Sequence, residues 1–254
     1  MNIVVPVKLV PDLVEGLSVD QSGTSLDTAW MRLIISEFDD HAIEQAILLK
    51  EAGGGQVVVV APDVEGVDDV LFTAAAKGAD RLVKLDAQLG IGVDNHTLAR
   101  ALAGVIKDMH PDLVMTGVQA HNDLDGSVGP LLAAFLGMPY VGYIAGVSAG
   151  DGRIAVRKEY PGGLVAEMEV QTPAVLGIQA AAKPPRYVAV SKVRQAMQTA
   201  KIEPAAVGEP DPRGAPKILR LFQPEPAERA TMIQGNPEQV AAKLVDVLRE
   251  AGLV

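Results

Sequence analysis

The chain has 254 residues, 48% of them hydrophobic, enough for one large domain or a domain with an appendage. It has no cysteine, which excludes disulfides, thiolate metal sites, iron–sulfur ligation and a cysteine nucleophile. The formal charge is −10, with 22 basic against 32 acidic residues, which argues against nucleic acid as a partner because phosphate neutralisation needs clustered cations.

Met1-Asn2 runs straight into an apolar stretch with no basic segment before it, and no uninterrupted apolar run reaches membrane-spanning length. The expectation is a soluble, cytoplasmic protein with no membrane insertion. Ile3–Val10 is apolar and β-branched, bounded by Pro11-Asp12, and predicts one buried central strand with Lys8 near its C-terminal end. That end of a parallel strand faces ligands, although a lysine there is more often merely solvated. Asp12–Arg32 is polar and irregular, a long loop or a small hairpin. Ala42, Ile43, Ala46, Ile47 and Leu49 form the apolar face of a helix over His41–Ala52, with Asp39 or Asp40 as N-cap and Gly53-Gly54-Gly55 as its stop. Gln56–Ala61 predicts a second buried strand, Val64–Lys77 a helix ended by Gly78, Arg81–Leu85 a third strand, and Asp94–Met109 a helix stopped by His110-Pro111. Next come a buried strand over Leu113–Thr116, a polar loop over Gly117–Asp125, and a helix opening at Gly126-Ser127-Val128-Gly129.

This alternation with short connections implies right-handed crossovers, hence an α/β fold with a mainly parallel sheet and helices on both faces. Tyr140–Val147, Arg153–Tyr160, Leu164–Gln171 and Ala174–Gln179 are strand-like, separated by turns such as Asp151-Gly152 and Pro161-Gly162-Gly163. The period of two in Ile154, Val156 and Lys158 predicts antiparallel strands added at an edge. From Lys183 a stiff Pro-Pro leads into a short helix. Thr199–Pro226 is proline-rich without periodic pattern, either a linker or an arm draped on another subunit. Asn236–Ala251 is an amphipathic helix, capped by Asn236 with Pro237 in its first turn. The expected organisation is a nucleotide-binding α/β domain over residues 1–190, then a docking-loop helix and an extended C-terminal arm ending in a helix over residues 191–254.

The stretch of most chemical interest is the loop and helix start after Thr116. First-turn N–H groups have no intrahelical partner and the helix dipole favours negative charge, so a nucleotide phosphate fits Gly126–Gly129. The plainer alternative is an ordinary strand-to-helix turn with glycines for tight packing. The four histidines, His41, His96, His110 and His121, show no metal-ligand spacing; His121 sits beside the proposed phosphate site. No G-x-S-x-G elbow, Walker loop or G-x-G-x-x-G is present. Asp123 and Asp125 read as acid–base candidates or, in a glycine-bounded loop, as turn formers. No residue pattern offers hydrolytic machinery.

An ordered set of motifs points further. Val7-Lys8 in the first strand, Phe38 followed by Ala42, Glu44 and Ala46, and Ala75-Ala76-Lys77-Gly78-Ala79-Asp80-Arg81 come first. Asp112-Leu113-Val114 with Gly117-x-Gln119-Ala120, Gly162-Gly163-Leu164, Thr172-Pro173-Ala174-Val175, Lys183-Pro184-Pro185-Arg186-Tyr187 and Arg229-Ala230-Thr231-Met232-Ile233-Gln234-Gly235 follow. Together they resemble the beta subunit of electron-transfer flavoprotein over nearly the whole chain. The resemblance implies a Rossmann-like fold and a heterodimer with an alpha subunit holding most of the redox FAD. It implies a buried structural AMP and transient docking of flavoprotein dehydrogenases and a quinone reductase. It describes an electron carrier rather than a stand-alone catalyst.

The family positions touching AMP fall on Pro6, Ser36, Glu37, Phe38, Asp39 and Pro62. They continue over Gly117, Gln119, Ala120, His121, Asn122, Asp123, Asp125, Gly126, Ser127, Val128 and Gly129, with Phe38 also near the interface flavin. Pro6 and Pro62 replace smaller residues and offer only their backbones. Partner docking falls on Glu159 and on Pro184, Pro185, Arg186, Tyr187 and Val190, the last being the apolar anchor. Many AMP-binding members carry N-Q-T-G where this chain has Gly126-Ser127-Val128-Gly129, so the threonine hydroxyl is absent. Val128-Gly129-Pro130 instead resembles electron-bifurcating members, which hold a second FAD there. AMP is the expected ligand, and a second FAD, an empty site or a non-redox nucleotide-binding regulator are the alternatives.

Overall fold

The computed structural model describes residues 1–87, 89–150, 153–225 and 230–254. The Asp151-Gly152 turn, Pro226 and Arg229 lie outside them.

The first apolar run does not make one strand. β1 (Asn2–Pro6) pairs with its neighbours, whereas β2 (Leu9–Pro11) turns away and pairs antiparallel with β3 (Leu33–Ile35) in a separate two-stranded sheet. The break falls at Val7-Lys8. The Lys8 amide leaves the ladder and donates to Asp39 Oδ2 at 3.0 Å. The segment between β2 and β3 closes as a small hairpin through a Val19–Leu26 bridge.

α1 (Glu37–Gly53) begins four residues before its periodic face suggested, with Ser36 as its N-cap. Neither Asp39 nor Asp40 caps it. Asp39 accepts backbone N–H groups from two other segments, and Asp40 pairs with Lys77. β4 (Gln56–Pro62), α2 (Val67–Lys77), β5 (Arg81–Asp86), α3 (Asn95–Asp108), β6 (Leu113–Gly117) and α4 (Val128–Leu136) follow the predicted alternation. Asp94 caps α3 by accepting from the Thr97 amide at 2.8 Å.

β7 (Tyr140–Gly150), β8 (Arg153–Tyr160) and β9 (Leu164–Val170) form the antiparallel edge. β10 (Ala174–Ile178) does not belong to it. It inserts between β6 and β7 and pairs parallel with both. All five of its residues are buried, the mark of a strand covered on both faces rather than one at an edge. α5 (Val190–Thr199) packs on α2, and the chain then adds β11 (Ile202–Ala206), parallel to β5. The expectation of an unpatterned stretch from Thr199 is thus corrected by a short edge strand. Among the described residues, the large sheet has nine strands in the order β11-β5-β4-β1-β6-β10-β7-β8-β9, parallel from β11 to β7.

Alternate residues of the central strands feed two cores. Ile3, Val5, Val57, Val59, Leu113, Met115 and Leu176 pack against Ala42, Ile43, Ala46, Ile47 and Leu71 of α1 and α2. Val4, Val58, Val60, Val83, Val114 and Val175 pack against Leu98, Leu102, Ile106 and Leu132 of α3 and α4. Each of these Val, Leu, Ile and Met side chains contributes about 1.5–3 kcal/mol by leaving water.

The chain divides into two compact units, Met1–Leu221 and Phe222–Val254. α5 and β11 belong to the first. The second contains α6 (Pro237–Glu250), started by an Asn236–Gln239 capping box with Pro237 in the first turn. No α6 residue is buried, and Leu244, Val245, Val247 and Leu248 are exposed. No helix among the described residues is long and apolar enough to cross a membrane.

Candidate functional site

β1 has β4 on one side and β6 on the other, so the strand order reverses there. Such a switch point opens a crevice beyond the carboxyl ends of the two strands, because their following connections diverge to opposite faces. A cleft lies there, about 330 Å³ of empty space counting its open mouth.

Of the residues singled out in the sequence, Pro6, Asp39, Gly117, Gln119, Ala120, Asp123 and Val128 line it. Val7, Lys8, Leu98, Leu102 and Thr116 join them. Leu98 and Leu102 were not among the candidate site residues, because nothing local distinguishes them from helix core. The same holds for Asn95, which is buried beside the cleft. Lys8 drew attention as a strand-end cation and in the Val7-Lys8 motif, but not as a site residue.

The polar wall is a closed network. Lys8 Nζ lies 2.5 Å from Asp123 Oδ1 and 3.2 Å from Asn95 Oδ1. Asn95 Nδ2 donates to Asp123 Oδ1 at 2.8 Å and to the Gly126 carbonyl at 2.7 Å. Asp123 Oδ2 accepts from the Ala120 amide at 2.8 Å, so Asp123 is also the turn former its glycine-bounded loop suggested. Asp125 serves a neighbouring helix instead. Its carboxylate accepts the Asn95 and His96 amides of the first turn of α3, each at 3.1 Å, and meets His96 Nδ1 at 2.7 Å. Burial alone would raise Asp125, but the His96 bond and the two amides outweigh it and hold the carboxyl below its ordinary range. Asp94, His96 and Asp125 approach one another, and the two carboxylates already satisfy that helix start.

Asp39 is the buried fastener of the cleft. Oδ2 takes the Lys8 amide and Oδ1 the Gly117 amide at 2.8 Å, tying α1 to the ends of β1 and β6. Burial pushes its pKa up to about 6, against the pull of the two amides and the Lys8 charge. Gly117 is required there, since a Cβ would fall 2.6 Å from Asp39 Oδ1 and 2.8 Å from the Phe38 Cβ.

The other flagged residues lie around this centre. Ser36 is buried at the start of α1, Glu37 is exposed, and Phe38 is half-buried in the first turn. Pro62 is buried at the end of β4 beside Leu85, away from the cleft lining. His121 and Gly126 are exposed, and the Asn122 side-chain oxygen is buried without a partner. Ser127 is the N-cap residue of α4 but gives it no side-chain bond, and Gly129 is buried in its first turn.

Elsewhere, Glu159 is exposed and paired with Arg157 at 2.6 Å. Arg186 is ion-paired within the chain: its guanidinium bridges Glu44 at 2.9 Å and Glu51 at 2.6 Å on α1, bonds that raise its pKa further above the ordinary range. Pro184 is exposed and Pro185 half-buried. Tyr187 is 89% exposed and Val190 is 62% exposed at the start of α5.

Residues 28–210 match the family model described as the electron transfer flavoprotein domain. The chain belongs to the electron transfer flavoprotein domain family. It is 33% identical to the electron transfer flavoprotein subunit beta of Methylophilus methylotrophus, with 98% of each chain covered. It is 28% identical to the subunit beta of Bacillus subtilis over the full length of both. It is 30% identical to the acryloyl-CoA reductase electron transfer subunit gamma of Anaerotignum propionicum, again over the full length of both. The nine-stranded sheet is accordingly the Rossmann-like sheet of an electron transfer flavoprotein domain.

Proposed function

We propose that this chain is the beta subunit of a heterodimeric electron-transfer flavoprotein in the cytoplasm. An alpha subunit holds most of an FAD, the cleft of this chain buries an AMP, and electrons pass from flavoprotein dehydrogenases to a quinone reductase or similar acceptor. The observation that carries the reading is that the family match over 28–210 includes the cleft wall from Asp39 to Val128.

Two features fit a mononucleotide. The first turn of α4 carries no side-chain cap, so its N–H groups suit a phosphate. Thr116 on the cleft floor has a buried hydroxyl without a partner. Gly126–Gly129 would hold the phosphate, with Lys8, Gln119 and Asp123 offering polar groups to sugar and base.

The flavin supplies the redox chemistry. This chain supplies no acid, base or nucleophile to it. Phe38, half-buried at the start of α1, is the side chain assigned to the interface flavin. Arg186, held by Glu44 and Glu51, braces the Pro184–Val190 segment against α1 and leaves Tyr187 and Val190 presented to solvent. A pre-braced apolar tip docks a partner without a large ordering cost.

The second reading is a bifurcating protein with FAD in place of AMP, favoured by Val128-Gly129-Pro130. Mass analysis of nucleotides released from the denatured, co-expressed heterodimer separates the two. One FAD and one AMP per heterodimer are expected. Two FAD and no AMP would establish the second reading, and a heterodimer without a flavin absorbance band would overturn the carrier function.

A further inference from the structure

Thr116 precedes the last residue of β6, and its side chain is 2% exposed. The residues before it in the strand, Leu113, Val114 and Met115, are all apolar and fully buried. Thr116 alone in that strand places a side-chain polar atom in the interior, and its Oγ1 has no hydrogen-bond partner. An unmet buried hydroxyl costs about 1–3 kcal/mol. Valine, of the same shape, would avoid that cost.

The hydroxyl lies under the first turn of α4, where a Cβ placed on Gly129 would come within 2.6 Å of Oγ1. That turn is short of donors and caps: Ser127 gives no side-chain bond and Pro130 has no N–H. The adjacent α3 is the opposite case, its first turn filled by the carboxylates of Asp94 and Asp125. Across the cleft, Asp39 and Asp123 are carboxylates, and Lys8 is paired with Asp123. An incoming phosphate is therefore driven towards α4 and Thr116 rather than towards Lys8. Rotation about χ1 exchanges the hydroxyl and methyl of threonine with little change of shape, so Oγ1 can turn to the cleft without backbone movement.

Resting on the mononucleotide reading, we propose that the Thr116 hydroxyl donates to the phosphate bound at the first turn of α4. It is then a specificity residue that separates a nucleoside monophosphate from the bare nucleoside.

The test uses the heterodimer stripped of nucleotide and titrated calorimetrically with AMP, adenosine and inorganic phosphate, for wild type, Thr116→Val and Thr116→Ser. Thr116→Val should bind AMP at least about tenfold more weakly, in line with loss of a hydrogen bond to a charged group. Its adenosine affinity should be unchanged, and Thr116→Ser should bind AMP as wild type does. Without nucleotide, Thr116→Val should melt at or above the wild-type temperature, since it removes an unmet polar group. Equal AMP binding by wild type and Thr116→Val would overturn the proposal. So would a parallel loss of AMP and adenosine, which would make Thr116 a packing residue, and so would a lower melting point of the nucleotide-free variant. A wild-type heterodimer that binds neither AMP nor adenosine would refute the mononucleotide reading itself, and this proposal with it.

Discussion

Asp39 decides the local electrostatics of the cleft. Its pKa rises from 3.8 to about 6 because burial outweighs its two amide bonds. Below pH ~4 the carboxyl is protonated in folded and unfolded chains alike. Between about 4 and 6 only the folded chain holds the proton, so stability falls as pH rises through that window and is level above it. Over two units the loss is about 3 kcal/mol. Urea unfolding of wild type and Asp39→Asn at pH 4 and pH 7 reads this directly. The stability of wild type relative to the variant should shrink by about that amount at pH 7, and parallel profiles would show that Asp39 does not titrate there. The resemblance around Phe38 named Asp39 as a candidate site residue, and Asp39 lines the cleft. Its fastening role was not legible, because its two amide partners lie 31 and 78 residues away in the chain.

The start of α4 shows how closely an element can be fitted. A methyl on Gly129 would sit 2.6 Å from Thr116 Oγ1 and 2.9 Å from the Tyr140 ring. Gly129→Ala should therefore cost about 1–3 kcal/mol in chemical denaturation and weaken retention of the proposed AMP, as overpacking of a close contact does. The Pro184–Val190 segment gives a second case. Arg186→Ala leaves Glu44, whose side chain is almost fully buried, without its cation, at a cost of about 3–5 kcal/mol. Limited proteolysis should then cut near Tyr187 faster than in wild type, and an unchanged digestion pattern would show that other contacts hold the segment.

The alternating first half of the fold was readable because each strand and helix has its own period and stop residues. β10 and β11 were misread for different reasons. Ala174–Ile178 follows three antiparallel strands in sequence, and nothing local says that the chain returns to the centre of the sheet. Ile202–Ala206 contains Pro204, and its place beside β5 depends on tertiary pairing, including the Arg81–Glu203 bridge at 2.6 Å.

At the scale of the whole molecule, the unit Phe222–Val254 carries a well-capped helix whose apolar residues remain exposed. Such a surface suits burial against the alpha subunit of the proposed heterodimer. Ending the chain at Leu221 should weaken assembly with the alpha subunit at least about tenfold, measured by analytical ultracentrifugation. Wild-type assembly by the shortened chain would remove the interface role of this unit.

The two borders of the large sheet carry a consequence for self-association. At one, β11 places Pro204 in the outermost strand, and a proline cannot donate to a further strand. At the other, β9 carries Glu167, whose charge opposes the stacking of a like strand beside it. Both borders thus carry a feature that disfavours backbone zipping of one copy onto the next in concentrated solution.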